Sequence, residues 1–219
     1  MLITENFNPK KTKVILGYDK NFDFFNNLIT TNNFPKVVLL TGDKGIGKST
    51  FIFHFLHYLF NKKNYDFQKK EISSEDVFFN EFKRNLFPNI IYLNGADNIS
   101  IKVENIREIK NKLLKSSLND NKRFIILDDV EIYNIQSINA LLKMIEEPNK
   151  SNYFILINNK SKPIINTLKS RCIEIKIILK EKDRLNIIKS LFRYFNQEII
   201  SETNLPKTSP GNLLKFNYF

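Results

Sequence analysis

Eight consecutive residues, Gly42-Asp43-Lys44-Gly45-Ile46-Gly47-Lys48-Ser49, constrain what this chain can fold into more than any other stretch. They directly follow the apolar run Val37-Val38-Leu39-Leu40 and precede the aromatic-rich stretch from Thr50 to Phe60, so the order reads strand, glycine loop, helix. Glycines at the first and sixth positions permit a bend that turns successive backbone N–H groups inward. Together with the positive end of the following helix they cradle phosphate groups. In that geometry Lys48 reaches the outer phosphates and the Ser49 hydroxyl is offered to Mg²⁺.

Three further apolar runs recur after the loop, Ile90-Ile91-Tyr92-Leu93, Phe124-Ile125-Ile126-Leu127 and Tyr153-Phe154-Ile155-Leu156-Ile157, and a fourth strand pattern, Ile173 to Ile177, has alternating side chains. Helical periodicity separates them, with Val103, Ile106, Ile109 and Leu113 on one face and Ile138, Leu141, Leu142 and Ile145 on another, the latter stopped by Pro148. Strands alternating with helices predict an α/β fold, a five-stranded parallel sheet with helices on both faces. One run ends in Asp128-Asp129 and the next in Asn158-Asn159, at the C-terminal edge where ligands bind in open α/β sheets. Glu131 is expected to point to the other side of an extended chain. Glu146 and Glu147 lie at a helix C-terminus, against the macrodipole, and a nearby Lys or Arg, or solvent alone, must answer them.

Around this frame, Val14 to Tyr18 reads as an extended lead-in, and Asp19 as the cap of a helix carrying Phe22, Phe25 and Ile29. Lys62 to Asn85 is charged and irregular, an expected exposed excursion with a short helix capped by Ser74. After Leu179 the pattern turns helical, with Asp183 as a cap and Ser209-Pro210-Gly211 opening a last segment. The expected domains are residues 1–178 and a small helical lid over 179–219.

The formal net charge of +11 favours polyanionic partners, yet no block of five or six Lys/Arg occurs, so a nucleic-acid patch and a generally lysine-rich composition both stay open. The single cysteine, Cys172, excludes an internal disulfide framework and a four-cysteine zinc site, which fits a reducing cytosol. Met1 to Lys13 lacks a signal-peptide pattern, and Phe51 to Phe60 is too short to span a bilayer. A cytoplasmic protein without membrane contact is expected. His54 and His57, three apart, are expected to pack rather than bind metal.

The motifs, in order, resemble the AAA+ ATPases of the bacterial DNA polymerase III clamp loader, most of all its delta-prime family. Leu16-Gly17-Tyr18 resembles the family's Leu/Phe-Gly-His lead-in, and Leu40 to Lys48 its phosphate loop. Asn139-Ala140-Leu141-Leu142-Lys143-Met144-Ile145-Glu146-Glu147-Pro148 is similar to its Asn-Ala-Leu-Leu-Lys-x-Leu-Glu-Glu-Pro run, and Thr167-Leu168-Lys169-Ser170-Arg171-Cys172 to its Thr-Ile-x-Ser-Arg-Cys. The resemblance implies ATP and Mg²⁺ as cofactors. It implies a nucleotide-binding set of Gly17, Gly42, Asp43, Lys44, Gly45, Ile46, Gly47, Lys48, Ser49 and Thr50, with Ser49 and Asp128 toward the metal. Asn158, or Asn159 if the register is one off, would sense the γ-phosphate, and Arg171 would be an arginine finger presented in trans. The implied partners are gamma/tau-like motor and delta-like subunits, the sliding clamp and, through the assembly, primed DNA.

Departures from the family pattern carry implications of their own. Asp129 stands where active motors have Glu, which implies weak or no intrinsic hydrolysis; Asn212 replaces the arginine of the family's Ser-Pro-Gly-Arg-Ala-Leu motif, which weakens nucleotide sensing there. The four-cysteine zinc module of many relatives has no counterpart, so zinc is not expected, and the helical collar that joins relatives in a ring is expected to be absent. A hydrolysing gamma/tau-like motor and a scaffold that binds no nucleotide are the alternative readings.

Overall fold

The computed structural model describes residues 8–73, 76–84, 86–95, 101–115, 122–198 and 208–218. In chain order the elements are α1 (Asp19–Thr30), β1 (Val37–Thr41), α2 (Lys48–Phe60), β2 (Tyr65–Asp66), β3 (Glu71–Ile72), α3 (Val77–Lys83), β4 (Ile90–Asn94), α4 (Val103–Lys115), β5 (Arg123–Asp128), α5 (Ile135–Ile145), β6 (Asn152–Asn158), α6 (Asn166–Lys169), β7 (Ile173–Lys176), α7 (Glu181–Tyr194) and α8 (Pro210–Tyr218). Two compact units share them. One comprises Pro35–Gly42 and Arg84–Ile177; the other comprises Met1–Phe34, Asp43–Lys83 and Ile178–Phe219.

The first unit holds a five-stranded sheet in the order β4-β5-β6-β1-β7. Every pairing is parallel, as the sequence pattern predicts. β1, β5 and β6 are buried along their whole length, whereas the edge strands β4 and β7 are partly open. Val37, Leu39, Ile125, Leu127, Phe154 and Leu156 form one apolar cluster with Ile106 and Ile109 of α4 and Ile138, Leu141 and Ile145 of α5. The alternate residues Val38, Leu40, Phe124, Ile126, Ile155 and Ile157 are buried too, which is why these strands read as unbroken apolar runs. α5 starts cleanly because Asn134 Oδ1 accepts from Ser137 N at 2.8 Å, a cap that contributes about 1 kcal/mol.

In the second unit, Phe22 and Phe25 of α1 pack edge-on against Phe51 and Phe55 of α2, with centroid separations of 4.9 Å for Phe25–Phe51 and 5.8 Å for Phe22–Phe55. The expected Asp19 cap is displaced by one residue. Tyr18 occupies the cap position without a side-chain bond, and Asp19 adds its charge to the first turn. At α7 the cap position is Lys180, so Asp183 likewise lies inside the first turn. Ile188 and Phe192 of α7 pack with Leu213 and Leu214 of α8.

The segment after α2 departs from expectation. It is no exposed excursion: β2 and β3 pair antiparallel, Tyr65 and Ile72 are buried, and so are Phe79 and Phe82 of α3. Tyr65 stacks on Phe22 with centroids 5.6 Å apart. Widely spaced aromatic anchors among charged residues suffice to dock it. Ser74 lies outside the described residues, and Asp76 caps α3 instead, its Oδ1 accepting from Phe78 N at 3.0 Å. Both histidines are fully buried; His54 Nδ1 lies 3.2 Å from Tyr65 Oη and Nε2 3.0 Å from the Thr12 carbonyl, while His57 Nε2 stands 2.7 Å from Asp76 Oδ2.

Candidate functional site

The glycine loop has the backbone its sequence requires. Gly45 and Gly47 hold φ of +83° and +95°, where L side chains are strained, and Gly47 is the N-cap of α2, so the loop ends on a helix N-terminus. Lys48 is buried with Nζ donating to the Asp43 carbonyl at 2.8 Å. Ser49 and Thr50 are half-buried in the first turn of α2, while Asp43 and Lys44 are exposed. Tyr18 braces the loop from behind: its hydroxyl donates to the Ile46 carbonyl at 2.9 Å and its ring stacks on Phe51. Burial pushes that phenol well above its ordinary pKa, so it stays a neutral donor. Gly17, at φ +77°, lies under Ile187 of α7, where a β-carbon would collide.

The start of α8 meets the same loop. Gly211 N donates to the Gly45 carbonyl at 2.8 Å. A β-carbon on Gly45 would come within 2.5 Å of Ser209 Oγ and 2.7 Å of Asn212 Oδ1. Ser209 Oγ is buried without a hydrogen-bond partner among the described residues. Positive-φ glycines, a helix N-terminus, a buried lysine and an orphaned hydroxyl at one loop fit a phosphate-bearing ligand.

The carboxylate edge belongs to the sheet unit. Asn159 Nδ2 bridges the two acids, donating to Asp128 Oδ1 at 3.0 Å and to Asp129 Oδ1 at 2.8 Å. Asp128 also accepts from Asp129 N at 2.8 Å and from the Tyr92 hydroxyl at 3.3 Å. Asn158 turns elsewhere, its Oδ1 accepting from Lys160 N at 2.9 Å while its carbonyl accepts from Gly42 N at 3.2 Å. Thus the second of the two neighbouring asparagines meets the acids. The expectation for Glu131 is corrected. Asp129 adopts φ +54° and Val130–Ile132 forms a 3₁₀ turn, which ends the two-residue alternation. Glu131 folds back, and its Oε1 accepts from Asn159 N at 3.0 Å and from Ser161 Oγ at 2.7 Å, bracing the turn that carries the asparagines. Burial, then the charges of Asp128, Asp129 and Glu131, push the Tyr133 phenol well above its ordinary range.

Three of these contributors carried no sequence expectation of a role: Tyr92, Glu131 as a brace, and Tyr133. A tyrosine within an aliphatic strand is the signal for the first. Tyr92 pairs with Ile126, two residues before Asp128, and so shares its face. Among the described residues no three His, Cys, Asp or Glu side chains converge as a metal site on their own. Mg²⁺ takes only one or two protein carboxylates beside phosphates and waters, so Asp128 remains a suitable ligand.

Arg171 lies at the other end of the sheet. It precedes the Val38–Ile173 pair by two positions, level with Lys36 and six residues before Gly42, or roughly 20 Å at about 3.3 Å per residue. Its side chain is 39% exposed. Nε donates to Glu146 Oε1 at 2.8 Å and Nη1 to the Thr167 carbonyl at 2.9 Å, so Glu146 finds the arginine partner its place at the end of α5 called for.

Residues 17–181 match the family described as DNA polymerase III, delta subunit. The gamma subunit of DNA polymerase III from Buchnera aphidicola (Schizaphis graminum) is 26% identical over 194 residues, covering 88% of this chain and 52% of the relative. The delta' subunit from the same organism is 34% identical over 115 residues, 52% of this chain and 35% of the relative. The chain spans about half the length of the gamma relatives it matches. Among solved structures, the Thermotoga maritima RuvB Holliday junction branch migration motor aligns with a TM-score of 0.55 at 16% identity, covering 96% of this chain and 65% of RuvB, a likeness of fold alone. No helix among the described residues is long and apolar enough to cross a membrane.

Proposed function

Since the chain belongs to the DNA polymerase III delta subunit family, we propose that it works as a clamp-loader subunit of the delta-prime kind. It binds ATP and lends Arg171 to the ATP of a neighbouring gamma/tau-like motor while the assembly, with a delta-like subunit, opens a sliding clamp on primed DNA in the cytoplasm. The observation that carries this reading is the polarity of the sheet. Asp128 and Asn158 end their strands, whereas Arg171 lies two residues before the start of its own, roughly 20 Å of β-structure from that edge, so its guanidinium would serve a site beyond this chain's own carboxylate edge. For the chain's own nucleotide, Gly42 to Thr50 would hold the phosphates, Gly17 would line the base pocket, and Ser49 and Asp128 would hold Mg²⁺, whose role is to neutralise phosphate charge. Asn159, or Asn158, would sense the terminal phosphate. Asp129 is one methylene shorter than the glutamate of active motors and is already bonded to Asn159, which supports binding with little intrinsic turnover.

The test is steady-state ATP hydrolysis by gamma-type motor subunits with this chain added as wild type or as Arg171→Ala, with complex formation measured separately by sedimentation. An arginine finger contributes roughly 10³–10⁵ in rate. The wild type is expected to accelerate turnover and the variant to bind without doing so. Equal acceleration by both would refute the finger. A second reading, a hydrolysing gamma-type motor, is favoured by the longer alignment to the gamma relative. It requires turnover by the isolated chain that Lys48→Ala abolishes.

A further inference from the structure

The guanidinium of Arg171 is held by two acceptors of its own chain on two of its five N–H donors. Nε donates to Glu146 Oε1 at 2.8 Å, and one Nη1 hydrogen goes to the Thr167 carbonyl at 2.9 Å. Both Nη2 hydrogens and the second on Nη1 have no partner among the described residues. The two acceptors come from different elements, Glu146 from the C-terminus of α5 and Thr167 from α6. Thr167 O is itself fixed by the turn, since it also receives Ser170 Oγ at 3.2 Å.

From this geometry we infer that Glu146 is a positioning residue for Arg171: with the Thr167 carbonyl it sets the plane of the guanidinium and leaves the Nη2 side open for a phosphate of the adjacent subunit. The inference rests on the arginine-finger reading above. A planar fork held at Nε has fewer orientations to lose when it meets phosphate, and the remaining donors are those suited to bidentate contact with phosphate oxygens. Glu146 has a local reason to accept this role. A carboxylate at a helix C-terminus is repelled by the carbonyl ends of α5, and the arginine offsets that repulsion. The pair is half-exposed, so its effect is expected in geometry rather than in stability.

The experiment uses the whole chain with gamma-type motor subunits, comparing wild type, Arg171→Ala, Glu146→Ala, Glu146→Gln and the double variant Glu146→Ala/Arg171→Ala. Saturated turnover and the concentration of chain giving half-stimulation are read separately. Glu146→Ala is expected to lower saturated turnover about tenfold with half-stimulation unchanged. Glu146→Gln, which keeps an acceptor oxygen at the same reach, should restore most of it, and the double variant should match Arg171→Ala. In the isolated chain, arginine-labelled NMR should show the Arg171 Nε–H protected from exchange in wild type and Glu146→Gln and unprotected in Glu146→Ala. Wild-type turnover with Glu146→Ala overturns the inference while leaving the finger intact. Faster turnover overturns it too, because the carboxylate would then compete with phosphate. A rise in half-stimulation alone would make Glu146 a docking contact and overturn it as well. If Arg171→Ala itself stimulates normally, the finger reading has failed instead.

Discussion

Acidification offers a sharp test of the second unit's packing, because the chain has only two histidines and both are fully buried. Histidine is the side chain whose ordinary pKa lies between pH 5 and 8. Burial pulls His54 down from 6.5 to about 3, against the Thr12 carbonyl, which favours the proton, and with the charge of neighbouring His57, which opposes it. Burial also lowers His57, partly offset by the Asp76 carboxylate. In both cases the folded pKa lies below the unfolded one, so the unfolded chain takes up protons that the native state refuses. Stability is therefore complete well above pH 6.5 and falls as the pH drops through it, with a slope near 1.36 kcal/mol per unit from His54 and a contribution of the same sign from His57. Between pH 7.5 and 5.5, His54 alone removes about 1.4 kcal/mol, and His57 adds to that loss. With a urea m-value of about 2 kcal/mol/M, the unfolding midpoint should drop by at least about 0.7 M. Far-UV circular dichroism across a pH series measures it, and His54→Gln should flatten the slope by His54's share. A midpoint that rises on acidification would refute the reasoning. It would mean that the 2.7 Å contact between His57 and Asp76 is a charged ion pair in the native state.

Three further outcomes follow from the geometry. Gly45→Ala places a β-carbon at φ +83° and 2.5 Å from Ser209 Oγ, so it should destabilise the chain by about 1–2 kcal/mol from backbone strain alone and weaken binding of a fluorescent ATP analogue. Asp76→Ala removes the cap of α3 and leaves Asn61 Nδ2, now 2.6 Å from Oδ2, and Asn64 Nδ2 without their acceptor; urea unfolding should report a loss of roughly 2–4 kcal/mol. Asn159→Ala strips the shared donor from Asp128 and Asp129 and should lower Mg²⁺-dependent affinity for the ATP analogue about tenfold, whereas Asn158→Ala, whose amide closes its own turn, should change it less than about twofold in the same titration.

The sheet was legible in the sequence because its physics is periodic. A buried parallel strand must be apolar on both faces, so Val37–Leu40, Phe124–Leu127 and Tyr153–Ile157 stand out as runs, and glycines at φ +83° and +95° leave a fixed spacing in the loop between strand and helix. The segment after α2 was illegible for the opposite reason. Tyr65, Ile72, Phe79 and Phe82 are buried anchors without a period, and two of them meet partners well back in the chain, Tyr65 stacking on Phe22 and Phe82 packing edge-on against Phe53. Cap positions slipped by one to three residues because Asp19 and Asp183 suit the first turn of a helix as well as its cap.

The carboxylate edge shows where pattern reading stops. A period of two assigns each residue of a strand to a face and would put Glu131 on Asp129's side of an extended chain, so the expected opposite side does not follow from it; nor does the rule contain a term for Asp129 at φ +54°. One left-handed residue re-aims everything after it. It brings Glu131 under the Asn159 turn and lets a single amide reach two adjacent acids, so which of the paired asparagines meets them is decided by the turn, not by the strand. Arg171 is the contrasting case: it lies two residues before a strand in a parallel sheet, and strand polarity alone assigns it to the edge opposite Asp128. Features set by polarity can thus be placed from the sequence, while features set by one backbone dihedral are decided only in the folded turn.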